Sequence, residues 1–143
     1  MRGFFGIGVY HPKTEENIGT LWRSAYAFGA SCIFTIGKRY KHQASDTVKA
    51  PLSIPLYEFG TLEEFDATKP WDCQTVCVEV TNEASDLPEF IHYDRVFYLL
   101  GAEDNGLPKK YLLENRVVKI PTRICLNVAV AGSIVMYDRI SKG

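Results

Sequence analysis

The sequence has no surplus of either charge: 16 Lys and Arg stand against 17 Asp and Glu, for a net charge of -1. Bulk attraction to nucleic acid or to an anionic membrane is thereby excluded, and a polyanionic partner needs a local patch of cations. Long apolar runs are missing too. None approaches the roughly 20 residues that span a bilayer, so no membrane association is expected. The four cysteines, Cys32, Cys73, Cys77 and Cys125, form no C-x-x-C pair, and no histidine stands at zinc-finger spacing. Structural zinc is therefore not expected, and with no signal peptide in front the thiols are read as reduced, in a cytoplasmic protein. Internal repeats, low-complexity tracts and linkers are also lacking, which leaves one domain over residues 1–143 as the expectation.

What is present is ordinary for a globular domain: 46% hydrophobic and 23% charged residues, enough for a chain of this size to bury a core without staples. The apolar run GFFGIGVY at 3–10 reads as a buried first strand, its two internal glycines, Gly6 and Gly8, permitting close backbone approach. From about Glu16, the residues Ile18, Leu21, Trp22, Ala25 and Phe28 recur at three- and four-residue spacing, with Gly29 placed as a left-handed C-terminal residue; this predicts an amphipathic helix. SCIFTI (31–36), TVCVEV (75–80), RVFYLL (95–100) and residues 117–120 predict four further strands. A brief extended segment is expected at 54–59, short helices at 62–65 (capped by Thr61) and after Pro108, and a short helical turn at 45–50. The last helix is predicted over 126–140. Strands alternating with helices predict an α/β fold built on a mainly parallel sheet, with ligands outside the carboxyl ends of the strands.

Four groups of residues can carry chemistry. Asn17, Gly19 and Arg23 form N-x-G-x-x-x-R at the start of the first helix. Asn17 is a reasonable N-cap, and Arg23 lies one turn beyond a glycine, so that a phosphate or ribose could enter the gap and meet a bidentate guanidinium; a capped helix with a surface arginine is the plainer reading. Gly101, Glu103 and Gly106 form G-x-E-x-x-G after a buried strand. Glu103 stands where a dinucleotide fingerprint has its middle glycine, and its carboxylate would repel a pyrophosphate, so the loop suits a ligand with hydroxyls or positive charge, or is simply an acidic turn. Ile120-Pro121 is followed by Cys125, Leu126 and Asn127 at the start of the last helix, which Asn127 could cap. A nucleophilic Cys125 needs a base, and His11, His42 and His92 all fall in loops that nothing brings to it. Lys38, Arg39, Lys41 and His42 around Tyr40 are a candidate basic patch for RNA, or a solvated loop.

In this order, the three motifs resemble the SpoU/TrmH family of the SPOUT methyltransferases, and the resemblance covers nearly the whole chain. It implies a C-terminal deep trefoil knot (an α/β knot), helices on both faces of the sheet, homodimers, and transfer of a methyl group from S-adenosylmethionine to the ribose 2′-hydroxyl of a tRNA or rRNA nucleotide. The implied cofactor-binding residues are Leu100, Gly101, Gly106, Ile120, Cys125 and Leu126. The implied catalytic residues are Arg23, Asn17, Glu103 and Asn127, with Lys38, Arg39 and Lys41 toward the RNA. In the family the arginine matching Arg23 is assigned to activating the hydroxyl. Arginine stays protonated, so its work is better written as clamping the neighbouring phosphate and stabilising the developing alkoxide, while the phosphate or Glu103 accepts the proton. The chain departs from the family in having Cys125 where many members have serine and a shorter segment between its Ile-Pro and Leu-Asn pairs. A non-catalytic RNA- or cofactor-binding domain, or a small-molecule methyltransferase on the same fold, are the alternative readings; an accessory protein is left open.

Overall fold

The computed structural model describes residues 3–39, 54–102 and 104–143. Glu103, Lys41, His42 and the helical turn expected at 45–50 lie outside the described residues. In chain order the elements are β1 (Phe4–Tyr10), α1 (Glu15–Phe28), β2 (Cys32–Ile36), β3 (Leu56–Phe59), α2 (Leu62–Thr68), β4 (Gln74–Val78), β5 (Ser85–Asp86), β6 (Arg95–Gly101), α3 (Lys109–Glu114), β7 (Arg116–Lys119) and α4 (Val128–Lys142). Every pairing among the described strands is parallel, in the order β3-β2-β1-β6-β4-β7-β5. The mainly parallel α/β sheet expected from the alternation of patterns is what the chain forms.

The strands at the centre are apolar in both directions because both faces are covered. On one face, Ile18, Leu21 and Ala25 of α1 and Val135 and Met136 of α4 pack with Ile7, Val9 and Tyr98. On the other, Phe65 of α2 and Tyr111 of α3 close over Phe34, Phe97 and Leu99. Phe34 stacks on Phe65 with ring centroids 4.7 Å apart, and Phe97 meets both edge-on at 5.7 Å. The two glycines of β1 make room for these rings: a Cβ at Gly6 would stand 2.6 Å from Phe97, and one at Gly8 would collide with Phe34. Among the described residues no helix is long and apolar enough to cross a membrane.

The structure moves several boundaries. The cap of α1 is Thr14, whose Oγ1 accepts from the Asn17 N–H at 3.3 Å. Asn17 is therefore inside the helix, because Glu15 and Glu16 occupy the first turn, where negative charge suits the helix dipole. The third predicted strand stops at Val78, and the two-residue β5 lies where no strand is predicted. Thr61 caps α2 and Asn127 caps α4, as the sequence predicts. β7 is laid between β4 and β5, two strands that precede it and are joined by residues 79–84, so its carboxyl end opens beside the segment that leaves β4.

Candidate active site

The carboxyl ends of β4, β6 and β7 release three segments that enclose a cavity of about 270 Å³. Its walls are Val78, Glu79 and Val80 after β4, Leu100 to Ala102 and Asp104 to Gly106 after β6, and Lys119, Ile120, Thr122, Cys125 and Leu126 after β7, with Val128 and Ala131 of α4 behind. Leu100, Gly101, Gly106, Ile120, Cys125 and Leu126 thus come together on one surface, though they span 27 positions of sequence.

The loop after β6 owes its shape to its glycines. A Cβ at Gly101 would stand 2.7 Å from the Cα of Gly106, so the loop can double back only over a bare backbone. Gly106 has φ +66 and leaves no room for a side chain beside the Glu79 carboxylate. Gly106 N–H donates to the Ala102 carbonyl at 3.0 Å, and Leu107 N–H donates to Glu79 Oε1 at 3.0 Å. Burial pushes the Glu79 carboxyl up, opposed by the Leu107 N–H that favours its charged form. Glu79 was not singled out by the sequence. Its signal was a lone acid at the exit of an otherwise buried strand.

A second cavity, about 340 Å³, shares Ala102, Asp104 and Val128 with the first and adds Val9, Pro12, Lys13, Thr14 and Asn17. Asn127 precedes Val128, one of the shared residues. Its Oδ1 accepts from Ala129 N–H at 2.9 Å and Val130 N–H at 3.2 Å, and its Nδ2 donates to Asn17 Oδ1 at 3.0 Å. The capping bonds settle which way the amide points. Asn17, relieved of capping, keeps its own Nδ2 as a donor.

Other candidates sit apart. Arg23 is exposed on α1 and lines neither cavity. Lys38 pairs with Glu58 at 2.6 Å, and Arg39 holds Asp104 in a bidentate pair at 3.0 and 3.1 Å. Cys125 is exposed, whereas Cys32, Cys73 and Cys77 are buried; burial lifts Cys32 to about 11 and Cys77 to about 12, which suits inert thiols. His11 stacks on Tyr10 with centroids 3.9 Å apart, and His92 is bonded to Tyr98 and Asp138; neither lines the cavity that holds Cys125.

Solved structures with the same fold are numerous. One, concerned with the 2-OH methylation of C/U34 on tRNA, superposes with a TM-score of 0.86 at 23% identity, covering 98% of this chain and 96% of that one. An AdoMet-bound rRNA methyltransferase from Sinorhizobium meliloti gives 0.84 at 24%, covering 99% and 57%. The SpoU methyltransferase AviRb from Streptomyces viridochromogenes, in complex with AdoMet, gives 0.84 at 22%, covering 99% and 58%. The chain therefore spans nearly all of the first and a little over half of the other two, and at these identities the likeness is one of fold. No curated protein sequence matches the chain significantly. The sequence model of the SpoU rRNA methylase family matches residues 5–137, from the first strand to the last helix, and by that match the chain belongs to this family.

Proposed function

We propose that this protein is an S-adenosylmethionine-dependent methyltransferase acting on the ribose 2′-hydroxyl of a tRNA or rRNA nucleotide. The observation that carries the reading is the Asn17–Asn127 bond beside two cavities that share Ala102, Asp104 and Val128, of which we assign the first to the cofactor and the second to the nucleotide it modifies. The first cavity fits the adenosyl part: Val78, Leu100, Ile120 and Leu126 offer apolar walls, and the bare backbone at Gly101 lets a flat ring approach main-chain donors and acceptors. When bound, the cofactor supplies an electrophilic methyl group on a sulfonium.

The chain's own residues then have three tasks. Asn17 and Asn127, held to each other and to the start of α4, orient the ribose so that its 2′-oxygen is aligned for in-line attack. Arg23 stabilises negative charge developing on that oxygen, and the hydroxyl proton passes to an RNA phosphate or to Glu103. Because Arg23 lies outside both cavities of its own chain, we place its work across a homodimer. An apolar face supports that assembly: Val130, Ile134, Tyr137 and Ile140 of α4 are exposed, Tyr26 of α1 likewise, and a groove of about 350 Å³ runs between Thr20 and this stripe. Arg23 stands one helical turn from Thr20. Exposed apolar area of this kind marks an interface.

We further propose that the chain end is threaded into a knot, a reading supported by the insertion of β7 between two strands already joined to each other. The free thiols suit a reducing cytoplasm.

Incubation with methyl-labelled cofactor and total RNA is expected to transfer label to ribose at a defined position, leaving a phosphodiester resistant to alkali there. Label found on a base, or on no RNA, overturns the reading. A second expectation concerns the cofactor wall. Gly101→Val drives a branched side chain into the Gly106 backbone, and overpacking of about 1–3 kcal/mol weakens cofactor binding roughly tenfold or more. Calorimetric titration, with circular dichroism to check the fold, reads the effect; unchanged affinity places the cofactor elsewhere.

A further inference from the structure

Asp104 stands on the wall that the two cavities share, and it is held by two cations. Arg39 Nη1 and Nη2 donate to its two carboxylate oxygens at 3.0 and 3.1 Å, and Lys13 Nζ lies 3.2 Å from Oδ2. Arg39 is itself braced from behind, its Nε and Nη2 donating to the His11 carbonyl at 2.9 and 2.6 Å and its backbone N–H to the Pro12 carbonyl at 3.0 Å. The His11 backbone that presents this carbonyl has φ 53, a left-handed conformation uncommon for a residue other than glycine. A guanidinium fixed by the main chain, with its open edge and a lysine turned toward one anion, is a built anion site. The fork that fits a carboxylate fits two phosphate oxygens equally well.

The remaining charges explain why such a site matters. With a net charge of -1 the chain cannot attract RNA in bulk. Its phosphate contacts must come from a few placed cations, and Lys38, the other described cation of the basic stretch, is paired with Glu58. Asp104 is about one-third exposed, as is Arg39. An ion pair so open to water holds its partners only weakly and yields readily to a competing anion.

We propose that Arg39 and Lys13 bind a phosphate of the substrate RNA next to the nucleotide being methylated, and that Asp104 fills that phosphate position until the RNA displaces it. The inference rests on the RNA reading of the site. In the free protein, the carboxylate keeps the two cations in register and masks them from unrelated polyanions. Arrival of the RNA exchanges one anion for another on the same donors. The displaced carboxylate regains its own counterions, so the site contributes one fewer net charge to the salt dependence than its two cations would alone.

The test is the affinity of a short single-stranded oligoribonucleotide as a function of salt, for the wild type, Asp104→Asn and the double variant Asp104→Asn/Arg39→Gln, with cofactor affinity and thermal melting as fold controls. Asp104→Asn is expected to bind several-fold more tightly at low salt, with the slope of log K against log salt steeper by roughly 0.7, the value for one extra phosphate neutralised on a single strand. The double variant loses that gain. Inorganic phosphate, added alone as competitor, should displace RNA from Asp104→Asn at lower concentration than from the double variant; equal competition in both puts the anion site elsewhere and overturns the proposal. An unchanged slope with weakened cofactor binding shows Asp104 to be only a pin for its loop, which also overturns it while leaving the RNA reading intact. Absence of RNA binding in every variant at low salt defeats the RNA reading itself, and this inference with it.

Discussion

Replacing Arg23 with alanine lowers methyl transfer by roughly 10²–10³-fold, the usual cost of removing one donor aimed at a developing oxyanion, and leaves cofactor affinity unchanged. The second half of that expectation follows from position: Arg23 is exposed on α1 and touches neither cavity of its own chain. The loss should therefore appear in kcat at saturating cofactor. Mixing makes the assignment sharper. If Arg23 acts across the dimer, Arg23→Ala combined with Gly101→Val, at a cofactor concentration that fills the intact cavity but not the Gly101→Val one, regains activity, because in a mixed dimer one site has both an intact cavity and an intact arginine. Random exchange of equal amounts restores roughly a quarter of wild-type sites, since half the dimers are mixed and each has one good site. Equal activity of Arg23→Ala and wild type removes the catalytic role. Loss without any recovery on mixing confines the arginine to its own chain.

Much of this arrangement was legible because it is encoded by local rules. A buried parallel strand reads as a continuous apolar run, α1 shows its spacing, and Gly29 marks its end with φ +86. Asn127 was recognisable as a cap because it stands directly before an apolar helix. The cap of α1 was misplaced for a related reason: Thr14 and Asn17 are both good capping residues three positions apart, and only the two acids of the first turn favour the earlier one. The rest depends on pairing over distance. Nothing near Glu79 announces that Leu107, 28 residues on, will donate to it. The ion pair of Arg39 with Asp104 joins residues 65 apart, so a basic stretch that looks open in sequence is partly closed in the fold. The position of β7 between β4 and β5 cannot be read locally at all, since each strand's pattern reports that it is buried and not beside what.

The largest effect on stability is expected far from the active site, at Arg139→Leu. Arg139 is 2% exposed and donates to the Tyr93 carbonyl at 2.7 Å, the Tyr98 hydroxyl at 3.1 Å and the Asp94 carbonyl at 3.1 Å, with its guanidinium 5.0 Å from the centre of the Phe5 ring. The donors and acceptors then form one sequence. Tyr98 donates to His92 Nδ1 at 2.6 Å, and His92 Nε2 donates to Asp138 at 2.7 Å. Lys142 closes on Asp138 at 2.8 Å and on the Leu87 and Phe90 carbonyls at 2.6 and 2.9 Å. Burial lowers the His92 pKa, opposed by its bond to Asp138, and pushes Tyr98 up to about 12; in neutral His92 the Nε2–H faces the Asp138 carboxylate, which leaves Nδ1 to accept from the Tyr98 hydroxyl. Leucine matches the bulk of arginine poorly and removes the donor from the Tyr93 carbonyl and the Tyr98 hydroxyl, while the Asp94 carbonyl keeps only the Phe4 N–H. Leaving a buried acceptor without its donor costs roughly 1–3 kcal/mol, and two such losses are a large share of the roughly 5–15 kcal/mol that holds a domain together. Arg139→Lys keeps the charge but cannot reach three acceptors from one point, and should lose less. Urea midpoints for the two variants test the order; a leucine variant as stable as wild type would show the network to be dispensable. Because Asn127 begins the helix whose last turns carry Arg139, Asp138 and Lys142, releasing that end also loosens the Asn17–Asn127 contact. Activity in Arg139→Lys is therefore expected to fall at a lower temperature than its global unfolding.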